Sequence, residues 1–317
     1  MLWDVDQLVK QPNKSPQYAN YESVDIAQNT LVVWSPDGKF LAIGNSMREA
    51  DNSIVEINAP SSTLSFAQHA PQITVPDGST IYGLAWLNNK QLITLTQPDT
   101  INNNKYILGL RNTVQAQAQP QSVAFQGYIS LANTNAGIST NMVAVSPDGS
   151  QVAMLPYGKN VLVGRVSVVN NATHWQLIHS LQFQADQILT DSSGVGWSAD
   201  GKSLVALANQ SSNQGLVYWN LSESKPQLHA LLIPDTDSNT QFSTLACNPA
   251  STNPGFATGN QNGEVYLWQF VNNSSPLKTL DTNGIKGTVT ALAWSHDGHW
   301  LAASFSDANA SILIWKI

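Results

Sequence analysis

Two histidines three residues apart, His296 and His299, and the run Asp235-Thr236-Asp237-Ser238-Asn239 are where residue type and spacing come nearest to chemistry. Paired imidazoles can ligate a transition metal, and oxygen ligands at alternate positions can converge on calcium. His296 and His299 straddle the turn Ser295-His296-Asp297-Gly298, which reads as a surface hairpin instead. The acidic run lacks the glycine and the distal glutamate of an EF-hand loop, and Asp and Asn are common turn formers. The expected result is an unchanged melting temperature in millimolar calcium, and a rise would restore the calcium reading. His174 and His179 flank or sit in an outer strand with no second set of ligands near them in sequence. No G-x-S-x-G, phosphate-binding G-x-x-x-x-G-K-[ST], C-x-x-C or H-E-x-x-H pattern occurs. The lone cysteine, Cys247, ends the apolar run Leu245-Ala246-Cys247 and reads as a small buried hydrophobe. The sequence therefore predicts no enzyme, no metal and no cofactor.

What would position such residues is a repeated strand unit, clearest at the C-terminus. Residues 288–317 alternate apolar and polar up to Trp294, turn at 295–298, alternate again through Leu301-Ala302-Ala303-Ser304, and close on Ile314-Trp315. Period-two alternation broken by turn residues predicts antiparallel strands, with Asp suited to the turn and Gly to the positive φ that follows it. First strands of the same kind end near Trp34, Trp86, Val145, Trp197, Cys247 and Trp294. Four are followed by Ser-x-Asp-Gly, at 35–38, 146–149, 198–201 and 295–298, while Asn88-Asn89-Lys90 and Asn248-Pro249-Ala250-Ser251 are degenerate. Second strands carry Ala or another small residue, which lets neighbouring sheets approach. Third strands end at Trp3, Ile57, Leu110, about Val166, Trp219, Trp268 and Trp315, and a weaker fourth strand follows each except the last. A four-stranded unit repeating at about fifty residues, with no helical periodicity, specifies an all-β propeller whose sheets bury their faces by radial stacking.

The predicted architecture is one domain, 1–317, of six antiparallel blades plus a partial seventh, with repeats beginning near 31, 80, 141, 193, 242 and 288 and a partial blade in 1–25. In one reading Tyr18 to Glu22 completes the last blade. In the favoured one, residues 1–25 hold the third and fourth strands of another blade in a seven-bladed parent.

Of 317 residues only 11% are charged, against roughly 25% in soluble domains generally, and the net charge is -7. That balance argues against nucleic-acid binding, which needs a basic footprint. No apolar run approaches the roughly 18 residues of a membrane helix, so this chain is not expected to insert in a membrane. The compartment stays open between cytoplasm and, with an upstream membrane segment, an extracytoplasmic site.

The strand ends Leu2-Trp3-Asp4-Val5, Tyr218-Trp219-Asn220, Leu267-Trp268-Gln269 and Ile314-Trp315-Lys316, with the Trp-Ser-Pro-Asp-Gly-Lys turn at 34–39, resemble WD40 repeats. A TolB-like propeller, which also carries such a turn, is the rival. Trp-Asp survives in full once, at Trp3-Asp4, and the Gly-His that precedes the first strand in that family is missing, so the blades are expected to rest more on apolar packing. The resemblance implies a non-catalytic scaffold or sensor module that binds a protein or peptide across its top face, where loops join strand two to three and strand four to the next blade. Among the small polar residues of those loops, Arg48, Tyr128, Tyr157, Lys159 and Asp237 are the large or charged candidates for partner contact. The alternatives are a metal-dependent propeller hydrolase or lactonase, and the sensor end of a larger signalling protein such as a kinase.

Overall fold

The computed structural model describes residues 2–3, 18–19, 31–45, 53–58, 72–75, 80–97, 107–112, 121–124, 142–155, 160–169, 172–183, 187–188, 194–210, 214–231, 241–250, 252–253, 255–271, 275–307 and 311–317. These residues build antiparallel sheets and nothing else of length, as the two-residue alternation requires.

In chain order, β1 (Leu2–Trp3) pairs with β2 (Tyr18–Ala19) in a two-stranded sheet. The first blade is β3 (Leu31–Trp34), β4 (Leu41–Asn45), β5 (Ser53–Asn58) and β6 (Gln72–Val75). The second is β7 (Thr80–Asn88), β8 (Gln91–Gln97), β9 (Ile107–Asn112) and β10 (Gln121–Ala124). The third is β11 (Val143–Val145), β12 (Val152–Met154), β13 (Asn160–Val169) and β14 (Ala172–Gln182). In the fourth the first strand is split into β15 (Gln187–Ile188) and β16 (Val195–Trp197), both paired with β17 (Ser203–Gln210) and followed by β18 (Gln214–Asn220) and β19 (Leu228–Leu231). The fifth is β20 (Phe242–Cys247), β21 (Phe256–Asn260), β22 (Val265–Trp268) and β23 (Lys278–Leu280). The closing sheet has three strands, β24 (Val289–Trp294), β25 (Trp300–Phe305) and β26 (Ile312–Lys316).

The architecture is thus an all-β propeller, as expected, with five complete blades among the described residues in place of six. Among the described residues the closing sheet has three strands, and Tyr18–Ala19 pairs with β1 and not with β26, while residues 20–22 lie outside them. The third blade also differs, because its outer hairpin runs past Val166 to a Val169–Ala172 pair, with a register shift between Val163 and Gly164.

Side chains alternate toward the two neighbouring blades, so the core lies between sheets. Leu31 and Val33 pack with Ile81, Leu84 and Trp86 between the first two blades. A larger cluster joins blades two to four through Leu95, Val143, Met154, Val163, Trp197 and Leu204. Tyr218, Phe242, Phe256 and Trp268 fill the contact of blades four and five, and Leu267, Val289, Leu301 and Phe305 that of blades five and six. Close stacking is made possible by glycine where two sheets meet. A Cβ on Gly83 would lie 2.5 Å from Val143 Cγ2, and one on Gly259 would lie 2.5 Å from Val289 Cβ.

Candidate functional site

The Ser-x-Asp-Gly units fold into one repeated turn. In the first blade Ser35 N–H donates to the Phe40 carbonyl (2.8 Å) and Gly38 N–H to the Ser35 carbonyl (2.8 Å), with Gly38 at a φ of 67° that side chains disfavour. The Ser35 hydroxyl donates to Asp37 Oδ1 (2.7 Å) while accepting from the Phe40 amide (2.9 Å), and Asp37 Oδ1 also accepts from the Lys39 amide (3.2 Å). The same set recurs at Ser146, Asp148 and Gln151, at Ser198, Asp200 and Ser203, and at Ser295, Asp297 and Trp300. The serine hydroxyl and aspartate carboxylate of each turn are thereby engaged in closing the hairpin.

These bonds hold the Asp37, Asp148 and Asp297 carboxyls below the usual aspartate value, the serine hydroxyl being the largest cause in each. At Asp200 burial pushes upward, and the Ser198 hydroxyl together with the Lys202 amide and charge outweighs it. A folded pKa below the unfolded one, which is about 3.9, means the stabilisation is present above that pH and lost as pH falls through the depressed values. The triple variant Asp37→Asn/Asp148→Asn/Asp297→Asn is expected to melt lower than the wild type at neutral pH and to lose less on acidification from about pH 5 to about pH 2. Thermal melts across that range check both.

The turns also touch one another. Asp37 N–H donates to Asn89 Oδ1 (3.1 Å) in the second blade, and Asn248 Nδ2 donates to the Gly298 carbonyl (3.2 Å) across blades five and six. In the degenerate turns, Asn88 and Asn248 take the aspartate's part by accepting from the amides two residues on. One end of the propeller is therefore a collar of first-to-second-strand turns, hydrogen-bonded to one another between blades one and two and between blades five and six. By antiparallel geometry, the loops from second to third strands leave from the opposite end.

A second device lies at the first-strand tryptophans. The indole of Trp86 donates to the Val33 carbonyl of the preceding blade (3.1 Å), Trp197 to Ala144 (3.1 Å) and Trp294 to Ala246 (3.0 Å). Trp86 and Trp197 are each 5% exposed. Replacing Trp197 by Phe keeps an aromatic ring and removes the bond, so it is expected to cost about 1 kcal/mol in urea unfolding. The partner is a backbone carbonyl, available from any residue type, so sequence reasoning missed the bond. The tryptophans recurring at strand ends were its only signal. In the fifth blade, Trp268 Nε1 also donates to Thr258 Oγ1 (2.8 Å), so polar support for a third-strand tryptophan persists without the histidine.

Arg48, Tyr128, Tyr157, Lys159 and Asp237 lie outside the described residues, as does the 235–239 run. His296 and His299 are both exposed, and His299 Nδ1 sits 3.2 Å from Asp297 Oδ2 on the turn. Cys247 is partly accessible as a residue, but its thiol faces Gly196 of the preceding blade and burial pushes its pKa up, a packing role. Among the described residues no helix is long and apolar enough to cross a membrane.

Residues 274–316 match the family WD40, described as WD domain, G-beta repeat. The match begins on the outer edge of the fifth blade and ends on the third strand of the next, so the sequence repeat and the blade are out of phase by one strand. A stretch of 102 residues is 31% identical to protein transport protein SEC31 of Saccharomyces cerevisiae, covering 31% of this chain and 8% of that protein. Among solved structures, a putative 6-phosphogluconolactonase from Bacteroides uniformis is similar, with a TM-score of 0.60 and 13% identity over 90% of this chain and 80% of that one. Hydrazine synthase from Kuenenia stuttgartiensis (TM-score 0.57, 14% identity, 90% and 82% covered) and prolyl oligopeptidase B from Galerina marginata (0.57, 13%, 98% and 44%) share the arrangement. At such identities the likeness is one of fold. The stretch 274–316 is thus similar to a WD40 repeat, and the remaining blades share its strand order.

Proposed function

We propose that this chain is a non-catalytic interaction module that binds a protein or peptide through the loops of its top face. The observation that carries this reading is that the polar side chains of the described turns at one end of the blades are occupied in holding the fold. At one end the turn serines, aspartates and asparagines bond to one another and to backbone amides, and so are occupied by structure. Arg48, Tyr128, Tyr157, Lys159 and Asp237, which lie outside the described residues, are proposed for partner contact on residue type and on their place in the sequence between strands. The WD40 match at 274–316 supports the same reading, as does the 102-residue stretch similar to a protein transport protein.

The test is affinity capture from native lysate with the wild-type chain and with Arg48→Ala/Tyr157→Ala. A specific partner retained by the first and lost by the second is expected. Equal capture by both removes the top face from the proposal.

A further inference from the structure

The sequence holds two Asn-Gly pairs, Asn262-Gly263 and Asn283-Gly284, and the fold treats them oppositely. In such a pair the side-chain amide lies within ring-closing reach of the next backbone nitrogen, and glycine leaves that nitrogen unhindered. Asn262-Gly263 forms the turn between β21 and β22. Asn262 N–H donates to Asn260 Oδ1 (2.9 Å), the Glu264 amide donates to the same oxygen (2.9 Å), and Asn260 itself is fully buried. Gly263 is buried against the loop from β23 to β24, so closely that a Cβ on it would lie 2.6 Å from the Ile285 carbonyl oxygen and 3.0 Å from that of Gly287. The backbone of this pair is clamped.

Asn283-Gly284 lies in the loop from β23 to β24, and its surroundings are the reverse. Both residues are exposed, and a Cβ on Gly284 would meet nothing within 4 Å. The φ angles are 53° at Asn283 and 72° at Gly284, the two positive values that an Asn-Gly turn of type I′ takes. Asn283 is the one residue other than glycine with a positive φ among the described residues. The turn is held by Ile285 N–H on the Thr282 carbonyl (3.0 Å) and by Asn283 N–H on Asp281 Oδ1 (2.8 Å). Neither the Asn283 side chain nor the Gly284 N–H has a hydrogen-bond partner among the described residues.

We infer that Asn283 is a site of spontaneous deamidation, a covalent modification whose only co-reactant is water. The Gly284 nitrogen, having lost its proton to base, attacks Asn283 Cγ. A bond forms between them, the Cγ–Nδ2 bond breaks, and the amide nitrogen leaves as ammonia after taking up a proton, which closes a succinimide. Water then opens the ring at Cγ to give aspartate, or at the backbone carbonyl to give an isoaspartyl link in which the chain runs through the side-chain carbon. Either product places a carboxylate two residues from that of Asp281. The isoaspartyl form also lengthens by a methylene a loop whose Asp281 carbonyl accepts from the Trp315 indole (2.9 Å). The modification therefore adds negative charge at the end of the propeller opposite the turn collar. It does not depend on what that end binds.

The test is peptide mapping by mass spectrometry after the full chain has stood in mildly alkaline buffer, folded in one sample and unfolded in guanidinium chloride in another. Unfolded, both Asn-Gly pairs are expected to lose their amides at similar rates, since sequence alone then governs them. Folded, the loss is expected at Asn283, as a mixture of aspartyl and isoaspartyl forms, with Asn262 retained as the amide. Asn283→Gln, which would have to close a larger ring, is expected to show no loss at that position while keeping the circular dichroism of the wild type. Retention of the Asn283 amide in the folded chain, or conversion of Asn262 and Asn283 at the same rate there, would overturn the inference.

Discussion

Replacing Trp268 by alanine is expected to destabilise the chain by about 3–5 kcal/mol, the range for removing a large aromatic side chain from a core. The residue is fully buried on the third strand of the fifth blade. Its ring stacks on Phe256 with centroids 6.1 Å apart and meets Phe242 edge-on at 6.2 Å, so truncation opens a cavity walled by rigid rings that cannot collapse. It also leaves Thr258 Oγ1, itself buried, without its indole donor. Trp268→Phe separates the two losses. It retains most of the ring contact and is expected to cost about 1–2 kcal/mol, the share of the hydrogen bond and the smaller ring. Urea unfolding of the two variants checks this. Near-equal costs would mean that the bond, and not the packing, carries the residue's contribution.

The second large effect is expected where two sheets meet most closely. Gly259→Ala places a methyl 2.5 Å from both Cβ and Cγ1 of Val289 and 3.0 Å from Thr244 Cγ2. Val289 is fully buried and β-branched, so it has no free rotamer to retreat into, and the blades must separate. Overpacking of this kind costs about 1–3 kcal/mol. The partner variant Val289→Ala removes the obstructing methyls. In Gly259→Ala/Val289→Ala the combined cost should therefore fall below the sum of the single costs by about 1 kcal/mol, as expected for residues in direct contact. Strict additivity would show that the close approach is relieved elsewhere.

Both effects arise from features that were unequally legible. Strand positions followed from alternation, and the turn at 35–38 could be anticipated to the residue, because Asp and Gly have few other uses between two apolar runs. Small residues in the second strands suggested close sheets, and Gly259 obeys that rule. Gly83 and Gly196 extend it to first strands, where a single glycine within an apolar run carried no such message. The extra length of β13 and β14 went unanticipated because the apolar run that marked the third strand ends at about Val166, whereas the outer hairpin of a blade can continue through polar residues such as Ser167. Of the candidate site the sequence supplied residue types and the loops that bear them. It could not supply their arrangement, because a binding surface assembled from loops of several blades leaves no fixed spacing in the chain.

The claim that binding belongs to the top-face loops is tested most directly by measuring the affinity of one purified, captured partner for three forms of the full chain. Arg48→Ala/Tyr157→Ala is predicted to weaken binding at least about tenfold, a loss of about 1.4 kcal/mol or more for two interface side chains. Asp148→Asn, on the opposite collar, is predicted to leave it unchanged. An unaltered affinity in Arg48→Ala/Tyr157→Ala, or a loss confined to Asp148→Asn, would contradict the account.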